Sequence, residues 1–134
     1  MKCSIHHTHL FASDIDASIA FYEKYFDGQV VLDMDLAGAR NVGMKVGSGR
    51  IHFYDQGPKD AFRGPIHHIG IQTNDLQGLV ERMKAGGVNF KKEISDFGFW
   101  KYVIAPAPDG VLLELFEVSQ EQIPETHRHF FSLE

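Results

Sequence analysis

Apolar residues along this chain change their spacing repeatedly, and each change marks the end of one element and the start of another. Residues 5–12 and 66–73 are short and rich in β-prone side chains, which reads as two strands. Each is followed by a polar pair, Ser13-Asp14 and Asn74-Asp75, whose side chains suit the free N–H groups at a helix start. Ile15, Ile19, Tyr22 and Phe26 then fall at helical spacing, as do Leu76, Leu79, Val80 and Met83. The helices are expected to stop at Asp27-Gly28 and Gly86-Gly87, with glycine in the C′ position. Three strand-like runs follow each helix, at 29–35, 40–46 and 50–55 and again at 88–94, 99–105 and 111–117. Asp109-Gly110, close behind Pro106 and Pro108, supplies a strong turn before the last strand.

The two passes share residues as well as order. Residues 5–15 match residues 66–76 at a constant offset of 61 (Ile5 to Ile66, Asp14 to Asp75), with Ile-His-His coinciding. Such self-similarity is the mark of one supersecondary unit used twice. The expected fold is α+β, a single domain over residues 1–134 built from two tandem βαβββ modules, 4–56 and 65–118. Gly57-Pro58 through Gly64-Pro65 connect them, and residues 119–134 form a C-terminal tail.

Strand parity separates two faces, because alternate residues point to opposite sides. In the first strand Thr8, Leu10 and Ala12 share one face, and His7, His9 and Phe11 the other. In its repeat Ile69, Ile71 and Thr73 oppose His68, Gly70 and Gln72. The more apolar set is expected to pack on the module's own helix. Val111, Leu113 and Leu115 belong to that helix side, which turns Leu112, Glu114 and Phe116 the other way. Likewise Ile51 and Phe53 leave His52 and Tyr54 opposite the helix, making His52 the repeat mate of Glu114. His7, His52, His68 and Glu114 are thus four polar positions on corresponding strands, expected to converge on a concave face.

Composition limits what these residues are for. With 43% hydrophobic and 23% charged residues in 134, the chain has the balance of an ordinary globular domain. A formal net charge of −5 disfavours nucleic acid, whose phosphates need clustered Lys and Arg; Lys91-Lys92 is the only local basic pair. One cysteine, Cys3, leaves no internal disulfide, and no apolar run approaches the ~18 residues of a spanning helix, so a cytoplasmic protein without membrane contact is expected. Eight histidines is the unusual count. His6 and His67 fall on the opposite parity, and His127 and His129 lie in a polar tail, where surface positions are expected. Burying an unpaired polar group costs roughly 1–3 kcal/mol, and a lone carboxylate more. A domain has only about 5–15 kcal/mol of net stability. Three imidazoles and a carboxylate on inward positions therefore need either water or a shared cation. As donors they suit a divalent metal ion: Fe, Zn, Ni, Co or Mn.

At these residues the sequence resembles the vicinal oxygen chelate superfamily, which includes glyoxalase I, extradiol dioxygenases, methylmalonyl-CoA epimerase, fosfomycin-modifying enzymes and bleomycin-binding proteins. The motifs are Ile5-His6-His7 with Ser13-Asp14-Ile15 and Ser18-Ile19-Ala20-Phe21-Tyr22, then His68-Ile69-Gly70-Ile71 with Asn74-Asp75-Leu76, and Pro108-Asp109-Gly110 leading into Leu113-Glu114-Leu115. The resemblance implies paired modules in a curved half-barrel around a metal, with ligands at His7, His68 and Glu114; His52, the repeat mate of Glu114, is expected as a fourth ligand or as the proton-transfer base. It also implies a homodimer, in some relatives with the site built across two chains. The shared chemistry is chelation of substrate oxygens on a metal that acts as a Lewis acid.

Departures from the pattern narrow the activity. Glyoxalase I has an acidic ligand where this chain has His52, and a glutathione-binding arginine where it has Phe11. The potassium loop of fosfomycin-modifying relatives is poorly matched by residues 91–98, and bleomycin-binding relatives lack metal ligands. The expected function is a metal-dependent lyase or isomerase for a small oxygenated substrate other than lactoylglutathione, with Glu114 or His52 moving the proton. One alternative is an Fe(II)-dependent extradiol dioxygenase, since His7, His68 and Glu114 match a facial triad and His9, His52, Tyr54 or Tyr102 offer acid–base groups. The other is a non-enzymatic small-molecule-binding protein of the resistance type. Phe11, Tyr54, Gln72, Phe97, Phe99 and Trp100 are candidates to shape the substrate pocket, and core packing is open to each aromatic among them. Ile123-Pro124 and Phe130-Phe131 in the tail either cover the site, meet a partner subunit, or belong to a frayed end.

Overall fold

The computed structural model describes residues 6–36, 38–58 and 68–123, together with 125, 128, 131 and 133. Ile5, Gly64-Pro65, Ile66, His67, Pro124, His127, His129 and Phe130 lie outside the described residues. The chain divides into two compact units, Met1–Phe62 and Arg63–Glu134. Each follows the order βαβββ.

The first unit contains β1 (Thr8–Phe11), α1 (Ile15–Phe26), β2 (Gln29–Leu36), β3 (Ala39–Val46) and β4 (Gly49–Tyr54). Its sheet runs β1-β4-β3-β2, with β1 parallel to β4 and the other pairs antiparallel. Asp14 caps α1 by accepting the Ala17 N–H at 2.9 Å. At the other end the left-handed residue is Asp27, at φ 52°, and not the glycine expected there. A short polar side chain tolerates that region. Gly28 answers a different need, because a Cβ there would lie 2.6 Å from Met44 Sδ. Ile15, Ser18, Tyr22 and Tyr25 form the buried stripe of α1, while Ile19 and Phe26 are half-buried. The stripe faces buried Val42, Met44, Ile51 and Phe53, and the Tyr22 and Phe53 rings sit 5.4 Å apart. Each such side chain contributes about 1.5–3 kcal/mol on leaving water. Arg40 on β3 ties two elements together, reaching Asp16 of α1 and Asp33 of β2 at 2.7 Å each. Its guanidinium, hydrogen-bonded to Asp33, holds that carboxyl below the ordinary aspartate range.

The second unit contains β5 (Ile69–Gln72), α2 (Leu76–Ala85), β6 (Ser95–Asp96), β7 (Trp100–Pro106), a 3-10 turn (Pro108–Gly110) and β8 (Leu112–Val118). Its sheet order, β5-β8-β7-β6 with β5 parallel to β8, repeats the first. Asp75 caps α2 through the Gly78 N–H at 2.9 Å, and Glu117 on β8 accepts the Leu76 N–H at 2.7 Å. Both carboxylates sit at the positive end of the helix. Leu76, Leu79, Val80 and Met83 are buried, as their spacing predicts, on the side of Val103, Ala105, Leu113 and Leu115.

One element departs from expectation. Residues 88–94 form a loop, and the edge strand is only Ser95–Asp96, paired with Tyr102 and Lys101. The loop is held to the helix end where the Val88 N–H goes to the Met83 carbonyl at 3.0 Å and Lys84 Nζ reaches Glu93 at 3.1 Å and lies 5.9 Å from the Phe90 ring centroid. Lys91-Lys92-Glu93 also offers no alternating apolar face to lay on a core. Among the described residues, no helix is long and apolar enough to cross a membrane.

Candidate metal centre

Strand register decides which side chains can meet. In the first unit the parallel pairing aligns His9 with His52 and Phe11 with Tyr54, while β3 sets Gly43 beside His52. Ile51 and Phe53 are buried under α1, so His52 and Tyr54 point the other way. His7, just before β1, joins them through its ring contacts. The His7 and His52 ring centroids are 4.6 Å apart, those of His9 and His52 are 5.7 Å apart, and those of His7 and His9 are 6.1 Å apart. One ligand nitrogen from each of the three lies within 4.8 Å of the others. His52 owes its position to a missing side chain: a Cβ on Gly43 would lie 3.1 Å from both Cδ2 and Nε2 of its ring. The imidazole rests on bare backbone.

His52 is biased toward the neutral form that binds metals. Burial lowers the His52 pKa from its ordinary value, and the nearby His7, His9 and His6 lower it further. His6, expected on the far face, instead approaches His7 with its Nδ1 3.0 Å from the His7 Nδ1. It sits just before β1, where strand parity no longer governs direction.

In the second unit the same register aligns Gly70 with Glu114 and Gln72 with Phe116. His68 Nε2 and Glu114 Oε2 are 3.1 Å apart, and Glu114 keeps 18% of its side chain exposed. Ligands at about 2.0–2.2 Å from one metal ion stand about 3 Å from each other when adjacent, so this pair already has the spacing of two donors on one ion. The four expected ligands are therefore two pairs, His7 with His52 and His68 with Glu114, each assembled inside its own unit.

The expected pocket residues occupy the same helix-free faces. Tyr54 meets Phe11 edge-on at 6.2 Å and His9 at 5.9 Å. Trp100 stacks flat on Phe116, with centroids 4.6 Å apart and planes 3° from parallel. Phe131 from the tail packs edge-on against Trp100 at 5.5 Å. Its carbonyl accepts the side-chain amides of Gln72 at 2.6 Å and Gln120 at 2.7 Å. That part of the tail lies on the Glu114 face of the second sheet, since Tyr102 and Ile104 of β7 pair with Phe116 and Glu114. Phe97 stacks on Tyr102 at 6.1 Å and remains largely exposed, as does Phe99. The sequence reading placed His9 on the right face as an acid–base group and not among the ligands. The spacing His7-x-His9 was the available signal.

The sequence model of the Glyoxalase/Bleomycin resistance protein/Dioxygenase superfamily matches residues 4–115. The chain belongs to this superfamily. It is the vicinal oxygen chelate group that the strand motifs resemble. Among similar solved structures is FosX from Listeria monocytogenes, a genomically encoded fosfomycin resistance protein, complexed with Mn(II) and sulfate. It is 20% identical over 91% of this chain and 98% of that one, with a TM-score of 0.73. A mutant of the same protein, complexed with Mn(II) and 1S,2S-dihydroxypropylphosphonic acid, is also 20% identical over 91% and 98%, with a TM-score of 0.75. A glyoxylase/bleomycin resistance protein/dioxygenase domain from Frankia sp. EAN1pec is 19% identical over 89% of this chain and 100% of that one, with a TM-score of 0.73. Likeness at these identities establishes a shared fold. No curated protein matches the sequence.

Proposed function

We propose that this chain is a metal-dependent lyase or isomerase of the glyoxalase type, acting on a small oxygenated substrate other than lactoylglutathione. In this reading the modules 4–56 and 65–118 form one domain, and His7, His52, His68 and Glu114 hold a single divalent ion. The observation that carries it is the matched pair of donor sets. His52 beside β1 and Glu114 beside β5 occupy the same register position, and His68 and Glu114 already stand 3.1 Å apart. A divalent ion held there supplies Lewis acidity, polarising a carbonyl so that a neighbouring proton becomes easier to remove. The chain's part is to receive that proton at the Glu114 carboxylate or a His52 nitrogen. Phe11, Tyr54, Gln72 and Trp100 shape the space around the substrate. Mn(II) in the FosX structures supports including manganese with iron, zinc, nickel and cobalt as candidates.

A cytoplasmic homodimer is part of the same proposal. The single cysteine supports the compartment. The apolar side chains Val31 and Met34, 57% and 43% exposed on edge strand β2, support a partner surface.

Protein purified without added metal is expected to carry bound divalent ion by elemental analysis, and His7→Ala and Glu114→Ala to lack it. Exchange of a carbonyl-adjacent proton for deuterium, followed by NMR on hydroxyketones, is expected for the native protein and lost in Glu114→Gln. Metal-free protein that takes up no ion from Zn²⁺, Co²⁺, Fe²⁺ or Mn²⁺ solutions sinks the reading. The second reading is an Fe(II)-dependent extradiol dioxygenase, favoured by His9 and Tyr54 meeting at 5.9 Å beside His7. Oxygen uptake with catechols after anaerobic loading with Fe²⁺ selects it. Tight binding of an aromatic ligand without metal, unchanged in His68→Ala, selects a sequestering protein instead.

A further inference from the structure

The first unit carries a donor set that the four-residue site does not use in full. His7 lies just before β1 and His9 within it, and His9 is the register partner of His52 on the adjacent strand β4. Their ligand nitrogens all lie within 4.8 Å of one another. Nitrogens bound to one zinc-like ion at about 2.0–2.1 Å stand about 3.4 Å apart in a tetrahedron, so small rotations of exposed rings close the set. His7 and His9 are exposed, while His52 is held against Gly43. Among the described residues, no carboxylate joins this cluster.

We infer that His7, His9 and His52 form a three-imidazole metal site complete within the first unit, with His9 a ligand in its own right. Its donors are all of intermediate softness, which suits Zn²⁺, Co²⁺, Ni²⁺ or Cu²⁺ and disfavours Mn²⁺, Mg²⁺ and Ca²⁺. Three protein ligands leave a tetrahedral position open to water or to a substrate oxygen. The inference goes beyond the proposed function and does not depend on it, because it asks nothing of His68 or Glu114. The contrast with the second unit is chemical: where the first has His9, the second has Gly70.

The test uses the full chain, with Zn²⁺ affinity measured by chelator competition and imidazoles counted by pulsed EPR on bound Cu²⁺. The double variant His68→Ala/Glu114→Ala is expected to bind Zn²⁺ about 100-fold or more weakly than the native chain, yet still measurably, and to show three imidazoles on Cu²⁺. Adding His9→Gln to that background is expected to lower affinity further by on the order of 1,000-fold, beyond the roughly 10–100-fold of lost outer-sphere partners, and to reduce the count to two. His6→Ala is expected to leave the count at three. Circular dichroism confirms that each variant folds. The inference is overturned if the double variant loses binding altogether, or if His9→Gln leaves affinity and count unchanged. A double variant that retains both binding and proton exchange overturns the four-residue reading and leaves the three-imidazole site standing.

Discussion

The two halves of this chain are one scaffold carrying different chemistry. In both, the first strand lies parallel to the last, the helix covers one face, and the other face presents a residue from each of these strands at matching register. The first half fills those places with His7, His9 and His52, and the second with His68, Gly70 and Glu114. The first is a cluster of three imidazoles, and the second is an imidazole against a carboxylate 3.1 Å away. Their surroundings differ as well. Phe11 and Tyr54 stand beside the histidines, whereas Trp100 and Gln72 are engaged by the chain's own tail. Backbone pairing sets where donors stand, and side-chain identity at those places sets what they bind.

The largest effect is expected from removing one donor in each half. His7→Ala and Glu114→Ala should each weaken binding of a divalent ion about 100-fold or more, near 2.7 kcal/mol at 1.4 kcal/mol per tenfold, by chelator competition. A loss in one variant alone breaks the idea that both halves serve one ion. Gly43→Ala comes next, because the added methyl meets the His52 ring at 3.1 Å. About a tenfold loss in metal affinity, the scale of a displaced supporting contact, is expected with the thermal midpoint little changed. Gly70→Ala, whose Cβ would meet Phe116 at 3.4 Å, serves as its counterpart in the second half and should do less.

Phe131→Ala tests the covered face. It removes an edge-on aromatic contact from Trp100, the chain's single tryptophan, so fluorescence reports the site directly. A red-shifted emission and a loss of about 1–2 kcal/mol in chemical denaturation are expected. An unchanged spectrum would mean that the tail does not rest there in solution.

The smallest effect lies in the helix packing. Tyr22 and Met83 hold equivalent places in α1 and α2, but the Tyr22 hydroxyl is buried and, among the described residues, has no hydrogen-bond partner. Tyr22→Phe should be neutral or stabilising by up to about 1 kcal/mol. Burial raises the Tyr22 pKa well above its ordinary 10.0, so the native state keeps the proton where the unfolded chain releases it. Stability is therefore intact below pH 10.0 and falls as pH rises beyond it. Tyr22→Phe should flatten that fall, and equal slopes would show that the hydroxyl finds water.

Much of the architecture was legible because burial imposes period. Leu76, Leu79, Val80 and Met83 read as a helix face and are one, and Ile51, Phe53, Leu113 and Leu115 read as the helix side of their strands and are buried there. Residues 88–94 misled because Val88 and Phe90 alternate briefly, while a backbone hydrogen bond and a Lys84–Glu93 pair hold the segment to the helix end. Asp27 in the left-handed position was hidden by the glycine beside it, which is needed for the close approach of Met44.

Repetition and parity along the chain were enough to establish two βαβββ units and to pick out His7, His52, His68 and Glu114, since both are properties of sequence order. Which of these stand within ligand distance was a matter of register between strands far apart in the chain, and only the folded sheets settle that. Pairing β1 with β4 brought His9 to His52, pairing β5 with β8 brought Glu114 into line with the strand that His68 precedes, and the return of the tail put Phe131 on Trp100. Contacts of that kind depend on hydrogen bonding and packing across long separations, for which local spacing holds no information.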